Sequence, residues 1–261
     1  MKAAWLLAGL ALALPAGPAA AETLGIRPLG GDYESARTVG NGHWTIEGGA
    51  WVPSFSAPDS SVTAADQVVL DRWQQFPAWP EIRGIYGLSE GNEAVAFIGP
   101  VIGGAYRRFF LRAEAPWPDE YLQALIQLGG GFNLASHLPE GHIRVPAIFE
   151  AGPWTLHVAG GGYYLFNNQP TVAVDTGLEF SPLPDFQVGA MAKLRMDSSK
   201  ITPFDGIWSF GAGARYRIGL RFVVQADVYQ DAGPPTVATS KAVPRVEFPF
   251  QGLRATAGYY F

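Results

Sequence analysis

The stretch Leu253–Phe261, LRATAGYYF, alternates between two kinds of residue. Every second residue from Leu253 is apolar or aromatic, and the positions between them include Arg254 and Thr256. Successive side chains of a β-strand point to opposite faces, so the stretch predicts a strand with one apolar face and one polar face. The rest of the sequence repeats this pattern many times.

The aromatic end of this strand resembles the C-terminal signal of bacterial outer-membrane β-barrels. Phe261 takes the final position of that signal, Tyr259 the position two residues before it, and Arg254 the polar position. The glycine expected near Thr256 stands at Gly258 instead. The resemblance implies that Tyr259 and Phe261 form an assembly signal, that the barrel assembly machinery and outer-membrane lipid are partners, and that the protein lies in the bacterial outer membrane.

Composition removes several classes of protein. The chain has 261 residues, no cysteine and only 16% charged residues, with a formal net charge of −5. Without cysteine there is no disulfide scaffold and no cysteine-based metal site. Without a basic block, binding to nucleic acid is not predicted.

The first 21 residues are predicted to be a cleavable signal peptide. Lys2 precedes an apolar stretch over residues 3–14, and small residues at 19–21 form a cleavage site. An uncleaved membrane anchor is the alternative, but a span needs about 20 apolar residues. The apolar run here is shorter and is followed by Pro15.

The remaining chain divides into two parts. Residues 22–41 are polar and lack any period. We expect them to be a periplasmic lead-in, since they are too short for a soluble plug. Residues 42–261 hold no apolar run of 18 residues, so no transmembrane helix is predicted. If this part spans a membrane, it must do so as a closed barrel, because only closure pairs every backbone group in lipid.

Alternation along residues 42–261 predicts an all-β, antiparallel transmembrane β-barrel of about 12 strands in an up-and-down meander. The third and fourth strands could be one bent strand, and a barrel of 10 strands is the alternative. The even strand number of single-chain bacterial barrels favours 12. The predicted strands cover about 44–52, 82–88, 93–99, 105–113, 121–133, 143–150, 154–166, 172–180, 186–196, 208–217, 220–229 and 253–261.

Loops and aromatic residues support a membrane barrel over a soluble sandwich or a lipocalin-like barrel. Counting back from Phe261 places the short turns on the periplasmic side and the long loops 53–81 and 231–249 on the outer side. Outward-facing aromatic residues lie close to the proposed periplasmic turns, as in an interfacial girdle. Alternation alone does not separate the two folds.

The predicted polar face carries charges of both signs. The last three strands place Arg215, Arg217, Arg221 and Arg254 on one basic wall. Arg or Lys rings favour anions, so an anion-attracting constriction is one interpretation. A ladder of ion pairs that fills the barrel is the other, and we favour it because a buried charge needs a partner. The residues predicted to face the lumen are Glu47, Arg108, Arg112, Glu114, Arg144, Glu150, Asp175, Glu179, Lys193, Arg195, Arg215, Arg217, Arg221, Asp227 and Arg254.

Catalysis and metal binding have little support in the sequence. The four histidines are His43, His137, His142 and His157. His137 and His142 flank one loop, and Asp197 and Asp205 lie in another, so a His–Asp surface site is the strongest enzymatic candidate. Solvated loop residues are the alternative that we favour. We expect no enzyme activity, no metal site and no cofactor.

A second resemblance concerns residues 82–110. The stretch Tyr86–Ser89, a tight turn, and the Gly-x-x-Tyr-Arg pattern from Gly103 to Arg107 are similar to a broad group of outer-membrane transporters. This resemblance implies passage of small molecules. We therefore expect a passive or weakly selective channel, with a non-conducting structural or surface-interaction barrel as the alternative and an outer-membrane hydrolase as a third possibility. The oligomeric state stays open.

Overall fold

Twelve β-strands close into one barrel, as the alternation predicts. The computed structural model describes residues 27–31, 33–53, 71, 78–114, 120–134, 137–165, 170–197, 207–231 and 252–260. Each strand pairs antiparallel with the next in the chain, and β1 pairs with β12 to complete the ring. The strands are β1 (Trp44–Pro53), β2 (Trp79–Ser89), β3 (Asn92–Ile98), β4 (Val101–Glu114), β5 (Glu120–Asn133), β6 (Leu138–Ala151), β7 (Trp154–Leu165), β8 (Thr171–Leu183), β9 (Phe186–Asp197), β10 (Ile207–Ile218), β11 (Phe222–Asp231) and β12 (Gly252–Tyr260).

The closing seam joins the first strand to the last. β12 pairs with β1 from Thr45 opposite Tyr260 to Pro53 opposite Gly252, and it pairs with β11 on its other edge. Closure leaves no strand edge with unpaired backbone groups, which lipid would not tolerate. The predicted signal peptide, Phe261, Asp205 and nearly all of the two long loops lie outside the described residues.

The third and fourth strands are separate, and the wall between them is uneven. β3 has 7 residues, whereas β4, β5 and β6 have 14 each. Gly99 and Pro100 form the short link between β3 and β4. Proline cannot donate to the ladder, which explains why the pairing stops there.

A β-bulge in β4 corrects one part of the predicted inner face. We expected Arg108 to face inward, but Arg107 and Phe109 face inward and Arg108 is exposed. The register with β5 shifts between Phe109 and Leu111. One extra residue reverses the alternation on one side of a bulge, so a parity counted back from Arg112 fails beyond it.

The outer wall is apolar and the inner wall is polar. Leu178, Phe210 and Val228 are about half exposed on the outside, and Trp154, Tyr216, Phe222 and Tyr259 add exposed aromatic rings near the short turns. Arginines, carboxylates and glutamines are buried inside. This inside-out distribution is that of a transmembrane barrel rather than a soluble sandwich. Within the described residues, no helix has the length and apolarity that a membrane crossing needs.

The barrel interior contains the chain's own N-terminal segment. We name residues 27–41, of which Asp32 is not described, the inner segment. Arg27, Leu29, Tyr33 and Ala36 are almost completely buried in it. We expected a periplasmic lead-in here and no plug, and the structure differs because the segment satisfies charged groups of the inner wall.

The inner segment reaches the lumen from the end of the barrel that carries the tight turns. The Gly42 N–H donates to the Gly87 carbonyl oxygen at 2.9 Å, and the Gly87 N–H donates to the His43 carbonyl oxygen at 3.0 Å. These bonds fix the chain beside the turn between β2 and β3. From there β1 begins at Trp44.

Candidate functional site

The lumen is the candidate site, and its charged wall is made by alternate residues of the strands. Most of the predicted lumen charges are buried inside the barrel. Those with at most a few percent exposure are Glu47, Arg144, Asp175, Glu179, Lys193, Arg195, Arg215, Asp227 and Arg254. Their partners decide whether they are available to a solute.

Ion pairs between neighbouring strands neutralise several of these charges. Arg254 Nη2 lies 2.9 Å from Asp227 Oδ2, and the two residues are directly opposite on β12 and β11. Arg107 Nη1 lies 3.0 Å from Glu93 Oε2 in the same way on β4 and β3. Neighbouring strands place opposite charges side by side, which is the ladder that the sequence favours.

One pair reaches across an intervening strand. Arg144 on β6 donates to Asp175 on β8 at 3.0 Å. Gly161 on β7 lies opposite Arg144, and a Cβ there would come within 2.9 Å of the Arg144 Cγ atom. The glycine therefore leaves room for the arginine side chain to cross β7.

Two more lumen cations bind hydroxyl groups. Lys193 Nζ donates to the Tyr163 Oη atom at 2.8 Å, and Arg195 Nη2 donates to Ser209 Oγ at 3.1 Å. Lys193 and Arg144 also lie about 5 Å from the centre of the Tyr163 ring. Cation–ring contacts of this kind favour a positive charge beside an aromatic face.

Other predicted residues lie at the ends of the barrel. Arg217 forms an exposed ion pair with Asp185 at 2.7 Å, and Arg221 is exposed in the turn before β11. Arg112 is exposed, and Glu150 is half-buried. The predicted basic wall of Arg215, Arg217, Arg221 and Arg254 is therefore reduced to Arg215 and Arg254 inside the lumen.

The inner segment binds the wall through its main chain. The Leu29 N–H donates to Glu179 Oε1 at 2.7 Å, and the Gly30 N–H donates to Asp227 Oδ1 at 2.8 Å. In the opposite sense, Arg215 donates to the Arg27 carbonyl oxygen at 2.5 Å. Carboxylates thus hold the N–H groups, and an arginine holds a carbonyl oxygen.

Gly31 is held by two donors at one carbonyl oxygen. Arg254 Nη2 donates to it at 2.6 Å and the Tyr229 hydroxyl at 3.0 Å. Arg254 therefore binds both Asp227 and the inner segment. Hydrogen bonds to charged groups are stronger than neutral ones, so this is a tightly held point.

Residues 35–39 of the inner segment are also bound through main-chain groups by an arginine and a carboxylate of the wall. Arg107 donates to the carbonyl oxygens of Ser35 and Arg37. Glu93 accepts from the Val39 N–H and the Thr38 hydroxyl, both at 2.7 Å. The Arg107–Glu93 pair of the wall is thus also a main-chain binding pair.

Side-chain ion pairs fix the inner segment in addition. Arg27 lies 2.8 Å from Glu47 and 2.9 Å from Glu81. Burial alone would lower the pKa of Arg27, but the carboxylates of Glu81 and Glu47 outweigh it and hold this pKa above its ordinary value. Glu34 pairs with Arg83, and Arg37 pairs with Glu150.

The backbone of the inner segment packs closely against the backbone of β10 at Gly30. Gly30 has φ +71°, and a Cβ on it would lie 2.5 Å from the carbonyl carbon of Gly211. A left-handed φ and a contact this short together require glycine. The inner segment is therefore fitted to the wall and not merely enclosed by it.

Sequence reasoning missed several residues of the lumen. Arg107 was hidden by the β-bulge, and Glu81 lies just outside the strand predicted from residue 82. The charges of the inner segment, Arg27, Glu34 and Arg37, gave no periodic signal that would tie them to a strand.

The described histidines do not gather into a catalytic group. His157 is buried with Nε2 3.2 Å from Glu179 Oε1, and His142 Nε2 lies 3.3 Å from the Gln127 amide. His137 is exposed, and its ring centroid is 6.3 Å from that of Phe132. No group of three or more potential metal ligands forms within the part of the chain that the structure describes.

These features define the class of protein: the fold is that of an outer-membrane β-barrel of the porin type. Two solved structures are similar over most of both chains. The KdgM porin, solved in complex with disordered oligogalacturonate, matches with a TM-score of 0.51 at 6% identity, over 84% of this chain and 99% of its own. An outer membrane channel from Pseudomonas putida F1 matches with a TM-score of 0.51 at 10% identity, over 85% and 95%. At such low sequence identity, the structural similarity shows a shared fold alone.

The sequence itself matches no protein-family model, and it has no match among curated proteins.

Proposed function

We propose that this protein is an outer-membrane channel for small solutes. The observation that carries the proposal is the inversion of the barrel, with apolar side chains outside and charged side chains inside. An apolar outer wall is stable in lipid, and a polar inner wall is compatible with water and polar solutes. The two solved structures that share the fold are described as a porin and an outer membrane channel.

We propose that passage is passive and weakly selective. The two basic residues left in the predicted constriction each lie beside a buried carboxylate, Arg215 3.6 Å from Glu179 and Arg254 2.9 Å from Asp227. A charge that is paired in this way presents little field to a passing ion. The paired wall therefore supports weak discrimination between anions and cations.

Reconstitution in planar bilayers tests this function. We expect discrete conductance steps from the purified mature protein, with a cation-to-anion permeability ratio close to one. The folded state is checked beforehand by a heat-modifiable shift on SDS gels. The proposal would be contradicted if the folded, heat-modifiable barrel stayed electrically silent both as the wild type and after deletion of residues 27–39.

A non-conducting structural barrel is the second candidate. It is favoured by one observation, the inner segment in the lumen. Cell fractionation tests the location that both candidates share: the mature protein should be recovered with outer membranes. Recovery in the soluble periplasm would refute both.

A further inference from the structure

We propose that the barrel interior is a binding site for a peptide main chain, that the inner segment is its resident ligand, and that the segment obstructs the pore until it is displaced. The proposal rests on the proposed channel function only in its last clause. The binding site itself follows from contacts within the lumen.

The wall binds the main chain of the inner segment as well as its side chains. Its N–H groups at Leu29, Gly30 and Val39 meet the carboxylates of Glu179, Asp227 and Glu93. Its carbonyl oxygens at residues 27, 31, 35 and 37 meet Arg215, Arg254 and Arg107. Every peptide main chain carries both N–H donors and carbonyl acceptors, and the wall supplies complementary groups of both kinds.

Two wall pairs each bind the peptide at both of its polar groups. In the first, Asp227 accepts from Gly30 while Arg254 donates to Gly31. In the second, Glu93 accepts from Val39 while Arg107 donates to Ser35. In each pair the acid and the base also contact each other, so the pair would stay neutral when the peptide leaves. A pair that is stable both empty and occupied suits a ligand that exchanges.

The bound segment obstructs the lumen. It contacts strands on several sides of the barrel, from Glu81 on β2 to Glu179 on β8 and Asp227 on β11. Tyr33 packs against Ala159 and Met191 and lies under the Arg144 guanidinium, 5.0 Å from its ring centre. A solute must therefore displace the segment or pass through what little space it leaves.

Removal of the inner segment gives the first test. We expect the variant lacking residues 27–39 to fold into a heat-modifiable barrel and to conduct several-fold more than the wild type in planar bilayers. A synthetic peptide of residues 27–41, RPLGGDYESARTVGN, should bind this variant and block its conductance reversibly, while a scrambled peptide should not.

Methylation of the peptide backbone isolates main-chain recognition. N-methyl groups at Leu29 and Gly30 remove the two donors to Glu179 and Asp227 and change no side chain. Hydrogen bonds to charged groups contribute enough that we expect about 10-fold weaker binding or more. Equal affinity of the methylated and unmodified peptides would refute main-chain recognition.

A point variant tests the same site without a deletion. Gly30→Ala places a Cβ against the Gly211 backbone and should release the inner segment, giving raised conductance and faster proteolysis after Arg37. Gly42→Ala is the matched control, because Gly42 has a similar φ of +75° but nothing within 4 Å of its Cβ position. The control should conduct like the wild type.

The outcomes separate the two proposals. If the emptied barrel binds the peptide but conducts nothing, the binding site stands and the channel function fails. If wild type and emptied barrel conduct equally and the peptide does not bind, the channel function stands and the binding site is refuted. Raised conductance with reversible block by the unmodified peptide supports both.

Discussion

Asp227 shows at the scale of one residue how the lumen is held together. Its two carboxylate oxygens accept from the Gly30 N–H, the Gln225 amide and the Arg254 guanidinium. Asp227 and Arg254 are both buried, so neither charge can rely on water. Removing one member of a buried pair leaves the other uncompensated.

Asp227→Asn should therefore destabilise the folded protein. We expect a loss of about 3–5 kcal/mol in the free energy of unfolding, because the substitution keeps the shape but removes the charge that Arg254 needs. Denaturant titration of the protein folded in lipid vesicles measures this value.

Asp185→Asn is the control for this substitution. Asp185 pairs with Arg217 at 2.7 Å, but its side chain is 50% exposed. An exposed pair contributes about 0–1 kcal/mol, so the control should change stability little. Equal losses for both variants would show that burial of the Asp227 pair has no energetic consequence.

Inward-facing residues were predictable only where alternation is unbroken. Arg144, Lys193 and Arg215 follow from the parity of their strands. Arg107 does not, because the bulge that reverses the parity of β4 is a backbone feature with no distinctive sequence. Gly30 gives no signal at all, since its close partner Gly211 lies in β10, far along the chain.

At the scale of elements, the closing strand depends on both of its neighbours. β12 pairs with β11 and β1, and it alone connects the end of the chain to its first strand. The strand boundaries followed from alternation to within a few residues for most strands. They failed most at β4 and β6, where Val101–Gly104 and Leu138–His142 extend the strands beyond the predicted starts.

Deletion of Phe261 should impair assembly of the barrel. The reason is the resemblance of the last strand to an assembly signal, in which the terminal aromatic residue is recognised. We expect most of the heat-modifiable form to be lost from outer membranes in a cell. Phe261→Tyr keeps an aromatic ring and serves as the control; normal assembly of the deletion variant would remove this argument.

At the scale of the whole molecule, the barrel and its contents have different origins in the sequence. The barrel follows from local alternation, and the apolar outer wall follows with it. The inner segment does not, because its bonds join residues such as Leu29 and Glu179, 150 positions apart, or Arg254 and Gly31, 223 positions apart. A polar stretch without period carries no local sign of such partners.

A single added charge tests whether the outer wall faces lipid. Leu178 is 48% exposed in the middle of β8, so Leu178→Arg would place a cation in the hydrocarbon region. Such a residue costs about 2–4 kcal/mol near the bilayer midplane. Unfolding titrations in vesicles measure this loss.

Leu220→Arg is the corresponding control. Leu220 is 86% exposed in the turn between β10 and β11, where water or headgroups surround it. The cost there should be about 0–1 kcal/mol. If Leu178→Arg were as mild as the control, the outer wall would not face lipid.

The short third strand has a consequence for the surrounding bilayer. Strands that rise about 3.4 Å per residue and tilt by about 40° give a wall of roughly 18 Å for seven residues and roughly 36 Å for fourteen. The apolar band of such barrels is about 25 Å tall, so β3 is too short for it while β4–β6 exceed it. Hydrophobic mismatch is then confined to one side, and the lipid next to β3 must thin to meet the rim. The bilayer around the protein would therefore be thinnest beside β3.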